Sequence, residues 1–468
     1  MTDLLLIQPP VSVTNHLANS GGEVYHIGLS YLSGMLKKEN ISFRTINNSN
    51  VAYSTEDILS LCESEKVKIL GISAITPTIR TTVKLAKEVK ERFKDKIHIL
   101  LGNSHISVDP DVINRYPYFD SAICGEADNI IVEHINKILQ GEKPTGIFTA
   151  NPPMDLDKLP FPAFESIENT IFKRGDIIPI IGTRGCPYKC GYCARAAMSK
   201  VVRSRSSQNI VEEMLTRMPL TKQFFFNDDS ATINRSHIIS LCSLIIERKL
   251  KIKFQMITRI DLIDDEMVQL LKEAGCISLL VGIESGNERI RNEIMQKNLS
   301  DEKIFRGMAI TKKYNLPVQL LFMIGHPEET VSEIGDTINY PLKLEKMGFN
   351  NIELVGYHLT IPLPGTRYFD WYLQQGKIST SIIDDYIQDK LGDGFFGHWP
   401  FLIPEGLTFE DMDRFRGTGA KKFHLRPAYV FRRLLQDIRR PKQILFDLKN
   451  AFYLIKQGTA ADASKIET

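Results

Sequence analysis

The sequence predicts an α/β chain of two successive units followed by a mostly helical region, and three observations predict it. Short apolar runs alternate with helical patterns twice, once over residues 1–145 and again over 171–375. A proline-rich stretch, "NPPMDLDKLPFPAF" (Asn151 to Phe164), separates the two alternations, so 146–170 reads as a linker. After about Gly376 the strand-like runs cease, which leaves 376–468 as a mostly helical C-terminal region.

In the first unit "LLLIQ" (Leu4 to Gln8) reads as a strand and "GLSYLSGMLKKE" as a helix. "FRTI" (Phe43 to Ile46), "EDILSLCES" and "VKILGISAI" continue the alternation. In "TTVKLAKEVKERF" the residues Val83, Ala86, Val89 and Phe93 share one helical face. "IHILLG", "SAICGE" and "NIIVEHINKIL" complete five strands, which suit a flavodoxin-like doubly wound sheet with helices on both faces. Ligands of such sheets sit beyond the carboxyl ends of the strands. The loops there are "GISAITPT" (Gly71 to Thr78), "GNSH" (Gly102 to His105) and "CGEAD" (Cys124 to Asp128). Their small and hydroxylated residues suit close approach of a ligand and are also ordinary turn chemistry.

The second unit has strand-like runs "IIPIIGT", "QFFFND", "KFQMITR", "SLLVGIES", "VQLLFMIG" and "NIELVGYHLT". Helical patterns such as "NIVEEMLTRM" and "DDEMVQLLKEAG" lie between them. Six β/α units predict a partial (β/α)6 barrel open on one side.

Charge is balanced, with 58 basic against 56 acidic residues, so no overall field directs the chain to nucleic acid or to a membrane surface. No apolar run approaches the roughly 20 residues needed to span a bilayer. "MTDLLLIQPP" lacks the basic start of a secretory leader, and the expectation is a soluble cytoplasmic protein. Asp411 to Asn450 is locally basic, with eleven Lys or Arg against four Asp. That stretch reads either as a helical face turned to solvent or another domain, or as an anion-binding surface.

Three of the seven cysteines fall within eight residues of "GTRGCPYKCGYCARAA": Cys186, Cys190 and Cys193. An odd number of thiols without a secretory leader argues against disulfides. A redox dithiol needs only two cysteines, and structural zinc wants a fourth ligand, which no nearby Cys or His supplies. A [4Fe–4S] cluster held by three thiolates leaves one iron open to a small molecule. The loop leaves the first strand of the second unit at the end where barrel enzymes keep their chemistry.

C-x3-C-x2-C with an aromatic residue, Tyr192, before the last cysteine resembles the signature of the radical S-adenosylmethionine (SAM) superfamily. The resemblance implies that the open iron chelates SAM and that one electron cleaves SAM to a 5′-deoxyadenosyl radical. It implies Asp228 or Asp229 in "FFFNDDS" for the SAM amino group, and Arg259 in "ITRID" for its carboxylate. Glu284 and Ser285 in "LLVGIESGNERI" would face ribose, and Gly325 in "FMIGHPEET" would border adenine. This chain departs from the family turn G-x-P-G-E-T at His326 and Glu328.

The first unit resembles the cobalamin-binding domain of one radical SAM subgroup, and the whole likeness runs from Leu4 to Thr366. It implies a corrinoid among Ser73, Thr76, Gly102, Asn103, Gly125 and Glu126. Asn103 stands where relatives carry a second glycine, and no D-x-H-x-x-G string supplies a lower axial histidine. His16, His26 and His105 lack that context.

The resemblance implies a small-molecule substrate and an external electron donor such as flavodoxin or ferredoxin. Methylation of an unactivated carbon is the leading expectation. A non-methylating radical reaction, such as dehydration, epimerisation, cyclisation or oxidation, is the alternative, with the first domain only a scaffold. An Fe–S regulatory protein without turnover is a third reading, disfavoured by the elaborate SAM-binding rim. Tyr357, Tyr368, Phe396 and His398 are the candidates for a substrate pocket.

Overall fold

The structure is a computed structural model that describes residues 2–10, 26–49, 52–168, 175–194, 199–391, 403–404 and 406–437. Its first sheet contains β1 (Leu4–Gln8), β2 (Phe43–Asn47), β3 (Ile69–Ser73), β4 (His98–Gly102), β5 (Ser121–Cys124), β6 (Gly146–Thr149) and β7 (Ile167–Glu168). The order is β6-β5-β4-β3-β1-β2-β7, and every pairing is parallel. β1 and β3 are buried at all five positions because helices cover both faces, as their unbroken apolar runs require. The helix Ile79–Phe93 turns Val83, Ala86 and Val89 inward, as its spacing predicts.

Seven strands form where the sequence predicts five. The stretch 146–170, expected as a linker, also supplies β6 and β7, which edge the sheet on opposite sides. β6 alternates half-buried and exposed residues, and β7 has only two residues, so neither carries an apolar run.

The second sheet contains β8 (Ile177–Ile180), then after a two-stranded hairpin of β9 (Thr183–Arg184) and β10 (Arg203–Ser204), β11 (Gln223–Phe226), β12 (Lys253–Thr258), β13 (Cys276–Glu284), β14 (Val318–Ile324) and β15 (Ile352–Leu359). Its six strands run β15-β14-β13-β12-β11-β8, all parallel and in chain order. These are the six runs the sequence predicts for the partial barrel.

The C-terminal segment packs on both units. Phe369, Tyr372, Ile383 and Tyr386 join the core of the first unit, and the Tyr386 hydroxyl donates to the Pro77 carbonyl at 2.9 Å. The helix Phe409–His424 lies against β15 so closely that a Cβ at Gly419 would meet the Tyr357 ring at 2.8 Å. In the basic stretch, Arg426 and Arg432 pair with Glu345, and Arg433 pairs with Glu353. Those residues face the barrel, so the reading of a strip turned to another domain holds for them.

Candidate active site between the two sheets

The carboxyl ends of both sheets open onto one cavity of about 490 Å³. From the first unit it is lined by Gly28, Tyr31, Ser73, Gly102, Asn103, Gly125 and Glu126, among others. From the barrel Thr183, Arg184, Gly185, Asn227 and Asp229 complete the wall. Ser73, Gly102, Asn103, Gly125 and Glu126 lie at the carboxyl ends of β3, β4 and β5, to one side of the β1–β3 boundary where the strand order reverses and doubly wound sheets take ligands. Among the described residues, a Cβ added at Gly28 or Gly102 would meet nothing within 4 Å, so neither glycine is overlain by them.

The cysteine loop follows β9 and is pinned by its backbone. Cys186 N donates to Ser199 O at 3.3 Å, Gly191 N to Met295 O at 2.8 Å, and Tyr368 N to Gly191 O at 3.0 Å. Gly185 has φ +94°, and a Cβ there would strike Val201 O at 2.0 Å, so the hairpin requires glycine at that point. Cys186, Cys190 and Cys193 are half-buried, whereas Cys62, Cys242 and Cys276 are buried in the cores. Burial pushes the Cys186 thiol up, and the charges of Asp229 and Cys190 add to the effect. Among the described residues no three Cys, His, Asp or Glu side chains converge as they would round a single ion. Thiolates of a cubane cluster each take a different iron and need not converge on one point. Three half-buried cysteines on one pinned loop fit that donor set.

A match to the Radical SAM superfamily spans residues 180–340, and a match to the B12 binding domain spans 15–135. The chain thus carries a radical SAM domain and a B12-binding domain. It is similar to an uncharacterized methyltransferase of Pyrococcus horikoshii, 25% identical over 93% of this chain and 95% of that protein. It is also 25% identical to the anaerobic magnesium-protoporphyrin IX monomethyl ester cyclase of Rubrivivax gelatinosus, over 66% of this chain and 60% of that one. Among solved structures, the radical SAM methyltransferase TsrM of Kitasatospora setae superposes with a TM-score of 0.63 at 16% identity, over 80% of this chain and 76% of that chain. At that identity the likeness is one of fold.

In the radical SAM domain the two acidic residues after β11 diverge. Asp229 lines the cavity and accepts from Gly185 N at 3.2 Å. Asp228 turns the other way and is buried, accepting from Gly182 N at 2.7 Å and from Thr183 N and Oγ1 at 3.0 Å. Burial pushes its carboxyl up to about 7 in spite of these donors. Asp228 therefore braces the stem of the cysteine loop. Arg259 is buried beside that loop, doubly bonded to Asp261 at 3.0 Å, with its guanidinium 4.0 Å from the centre of the Tyr188 ring.

Glu284 ends β13 at φ +74°, where the pairing with β14 slips out of register. A left-handed glutamate at a bulge stores strain of the kind found at functional sites. Its Oε1 accepts from the Tyr192 hydroxyl at 2.9 Å and from Lys297 Nζ at 3.0 Å. Ser285 is fully buried, and its hydroxyl meets Thr337 Oγ1 at 3.0 Å and accepts from Asn287 N, so it ties the turn to the helix Val331–Lys346. Gly325 N donates to Glu329 Oε2 at 2.6 Å, and Glu328 takes φ +57° at the position where relatives carry glycine.

In the B12-binding domain Asn103 adopts φ +82° and donates from Nδ2 to Ser73 Oγ at 2.8 Å, which clips its side chain to the end of β3. Thr76 is buried against His105 Nδ1 at 3.2 Å and does not line the cavity. His26 does line it, 2.7 Å from Ser49 Oγ, and burial lowers its pKa to about 4. His16 lies outside the described residues.

The substrate-pocket candidates fare differently from expectation. Tyr357 is buried in the barrel core, stacked on Phe322, with its hydroxyl donating to Ile338 O. Tyr368 is buried against the cysteine loop and contacts His326 Nδ1 at 3.0 Å. Both point inward because alternation on β15 and the first turn of the helix Arg367–Gln374 place them there. Phe396 and His398 lie outside the described residues. Tyr31, Arg184 and Asp128 line the cavity without having been singled out from the sequence. Arg184 lies within the quoted cysteine-loop string, immediately before Gly185, and its charge was the available signal.

Proposed function

We propose that this chain is a cobalamin-dependent radical SAM methyltransferase acting on an unactivated carbon of a small molecule. The observation that carries the reading is the single cavity shared by the carboxyl ends of both sheets. When bound, the cluster would supply the electron that cleaves SAM, and the corrinoid would carry the methyl group.

Cys186, Cys190 and Cys193 are the residues that would hold the cluster. Asp229, on the cavity wall beside the loop, offers a carboxylate to the SAM ammonium. Arg259 and Glu284 fix the loop through Tyr188 and Tyr192, and thereby the floor on which SAM would rest. Gly28 and Gly102 leave room for a flat macrocycle, and Ser73, Asn103, Gly125 and Glu126 rim it. No helix among the described residues is long and apolar enough to cross a membrane, in keeping with an aqueous electron donor such as flavodoxin or ferredoxin.

The relative from Pyrococcus bears the name methyltransferase, and the Kitasatospora enzyme is described with cobalamin and a [4Fe-4S] cluster bound. The cyclase of Rubrivivax favours a second reading, radical chemistry without methyl transfer. Anaerobic, reduced protein loaded with hydroxocobalamin and methyl-labelled SAM separates the two. Methyl transfer yields S-adenosylhomocysteine that depends on cobalamin. Formation of 5′-deoxyadenosine alone, with no corrinoid retained, overturns the first reading and supports the second.

A further inference from the structure

The hairpin that carries the cysteine loop is clamped to the B12-binding domain by two arginines on one rung. Arg184 and Arg203 are register partners across β9 and β10. Arg203 grips Glu126 with two bonds, Nη2 to Oε1 at 2.5 Å and Nη1 to Oε2 at 3.0 Å, and also donates to Pro153 O at 3.0 Å. Arg184 Nη1 donates to the same Glu126 Oε2 at 3.1 Å and to Asp128 Oδ2 at 2.9 Å. Its guanidinium also lies 4.8 Å from the centre of the Tyr31 ring. The Arg203 side chain is 2% exposed and that of Asp128 7%, so these are desolvated pairs rather than surface contacts. Burial opposes ionisation of Glu126, yet the guanidiniums of Arg203 and Arg184 hold its carboxyl below the usual range.

Every member except Arg203 also lines the shared cavity. Arg184 stands two residues before Cys186, with the tight turn at Gly185 between them. Side chains of the other domain therefore hold the hairpin that leads into the first cysteine.

We infer that Glu126, Asp128, Arg184 and Arg203 form an inter-domain clamp that positions the cysteine loop against the cavity. None of the four needs to touch a reacting atom; they are positioning residues. A two-toothed guanidinium–carboxylate contact fixes orientation as well as distance, which a lysine would not do. The inference rests on the reading of Cys186 to Cys193 as a cluster loop for its spectroscopic arm only.

The test compares full-length Glu126→Gln, Arg203→Met and the double variant with wild type. Hydrogen–deuterium exchange in the peptides covering 182–194 is expected to rise about tenfold in each single variant, with no further rise in the double variant, because the two side chains act as one unit. In anaerobically reconstituted, reduced protein the electron paramagnetic resonance spectrum of the cluster is expected to shift in the same variants. Glu165→Gln, at the exposed pair Lys37–Glu165, is expected to change neither. Where Glu126→Gln does not fold, Arg203→Lys, which keeps the charge and loses the fork, carries the same comparison. Unchanged exchange and an unchanged spectrum, or effects that add in the double variant, overturn the clamp. A wild-type protein that takes up no iron overturns the cluster reading instead, and the exchange arm still decides the clamp.

Discussion

Tyr192 and Glu284 meet at 2.9 Å, the phenol donating to Oε1, and the contact joins the cysteine loop to the end of the fourth barrel strand. Lys297 donates to the same oxygen at 3.0 Å, with only 5% of its side chain exposed. Glu284→Ala removes one member of a buried pair and strands the ammonium, a loss of about 3 kcal/mol. Tyr192→Phe removes a single hydrogen bond to a charged group, at about 1.5 kcal/mol. Thermal unfolding of the two variants is therefore expected to rank Glu284→Ala well below Tyr192→Phe. Equal midpoints would show that Lys297 finds another partner.

The three loop cysteines should bind iron as a set. Replacing Cys186, Cys190 and Cys193 by Ala is expected to leave anaerobically reconstituted protein colourless, against about four irons per chain in wild type. Replacing Cys62, Cys242 and Cys276, which are buried in the cores, should preserve the iron. Iron analysis decides the point, and retained iron in the first variant refutes the assignment.

The divergence of Asp228 and Asp229 gives opposite expectations for neighbouring residues. Asp229→Asn should weaken SAM binding about ten- to hundredfold, the worth of a charge-assisted hydrogen bond of roughly 1.5–3 kcal/mol. Asp228→Asn should instead lower stability by about 1–3 kcal/mol, since an amide cannot accept from all three donors of Gly182 and Thr183. Calorimetric titration with SAM and denaturant unfolding separate the effects. A reversed pattern would mean that the buried residue is the ligand.

The contribution of Glu329 to stability should fall as pH rises through the neutral range. Burial pushes the Glu329 carboxyl from 4.5 up to about 8, and Oε1 has no hydrogen-bond partner among the described residues. The folded chain thus holds a proton that the unfolded chain releases near pH 4.5. Unfolding releases that proton between about pH 4.5 and 8, so the contribution is complete below this window and is lost as pH climbs through it. Glu329→Gln keeps an acceptor for Gly325 N and His326 N and cannot ionise. Urea midpoints at pH 5.5 and 8 are expected to differ less in Glu329→Gln than in wild type. An equal difference in both proteins removes Glu329 as the cause.

Much of this architecture is legible in the sequence because it follows from periodicity. The six barrel runs and the five central strands of the first sheet are apolar segments of strand length between amphipathic helices. β6 and β7 escape notice because an edge strand with one solvated face carries no apolar run. The cysteine loop is legible because its chemistry is local. Side-chain direction is not: Asp228 and Asp229 are adjacent, and only tertiary packing sends one to the Gly182 backbone and the other to the cavity. From the sequence Ser285 is expected to face ribose and Tyr357 a substrate pocket, yet the close approach of Thr337 and Gly419 turns them into packing contacts. The pairing of Arg203 with Glu126 spans 77 positions and leaves no periodic trace.

The corrinoid reading is open to a direct steric test at Gly102. This glycine ends β4 and lines the shared cavity, and no described residue lies within 4 Å of the place its Cβ would occupy. Its φ is not in the left-handed region, so a larger residue strains no backbone there. Gly102→Val should therefore fold like wild type while its side chain stands in the space above β4. Hydroxocobalamin uptake, followed by visible absorbance after desalting, is expected to be lost or reduced by at least about tenfold, on the scale of overpacking a fitted site. Iron content should be unchanged, because the cysteine loop hangs from β9 in the other domain. Gly141→Val, at a turn with φ +94° away from the cavity, serves as the opposite control: it should cost stability and leave uptake intact. If Gly102→Val binds cobalamin as wild type does, the corrinoid does not lie over β4, and the shared cavity belongs to SAM and substrate alone.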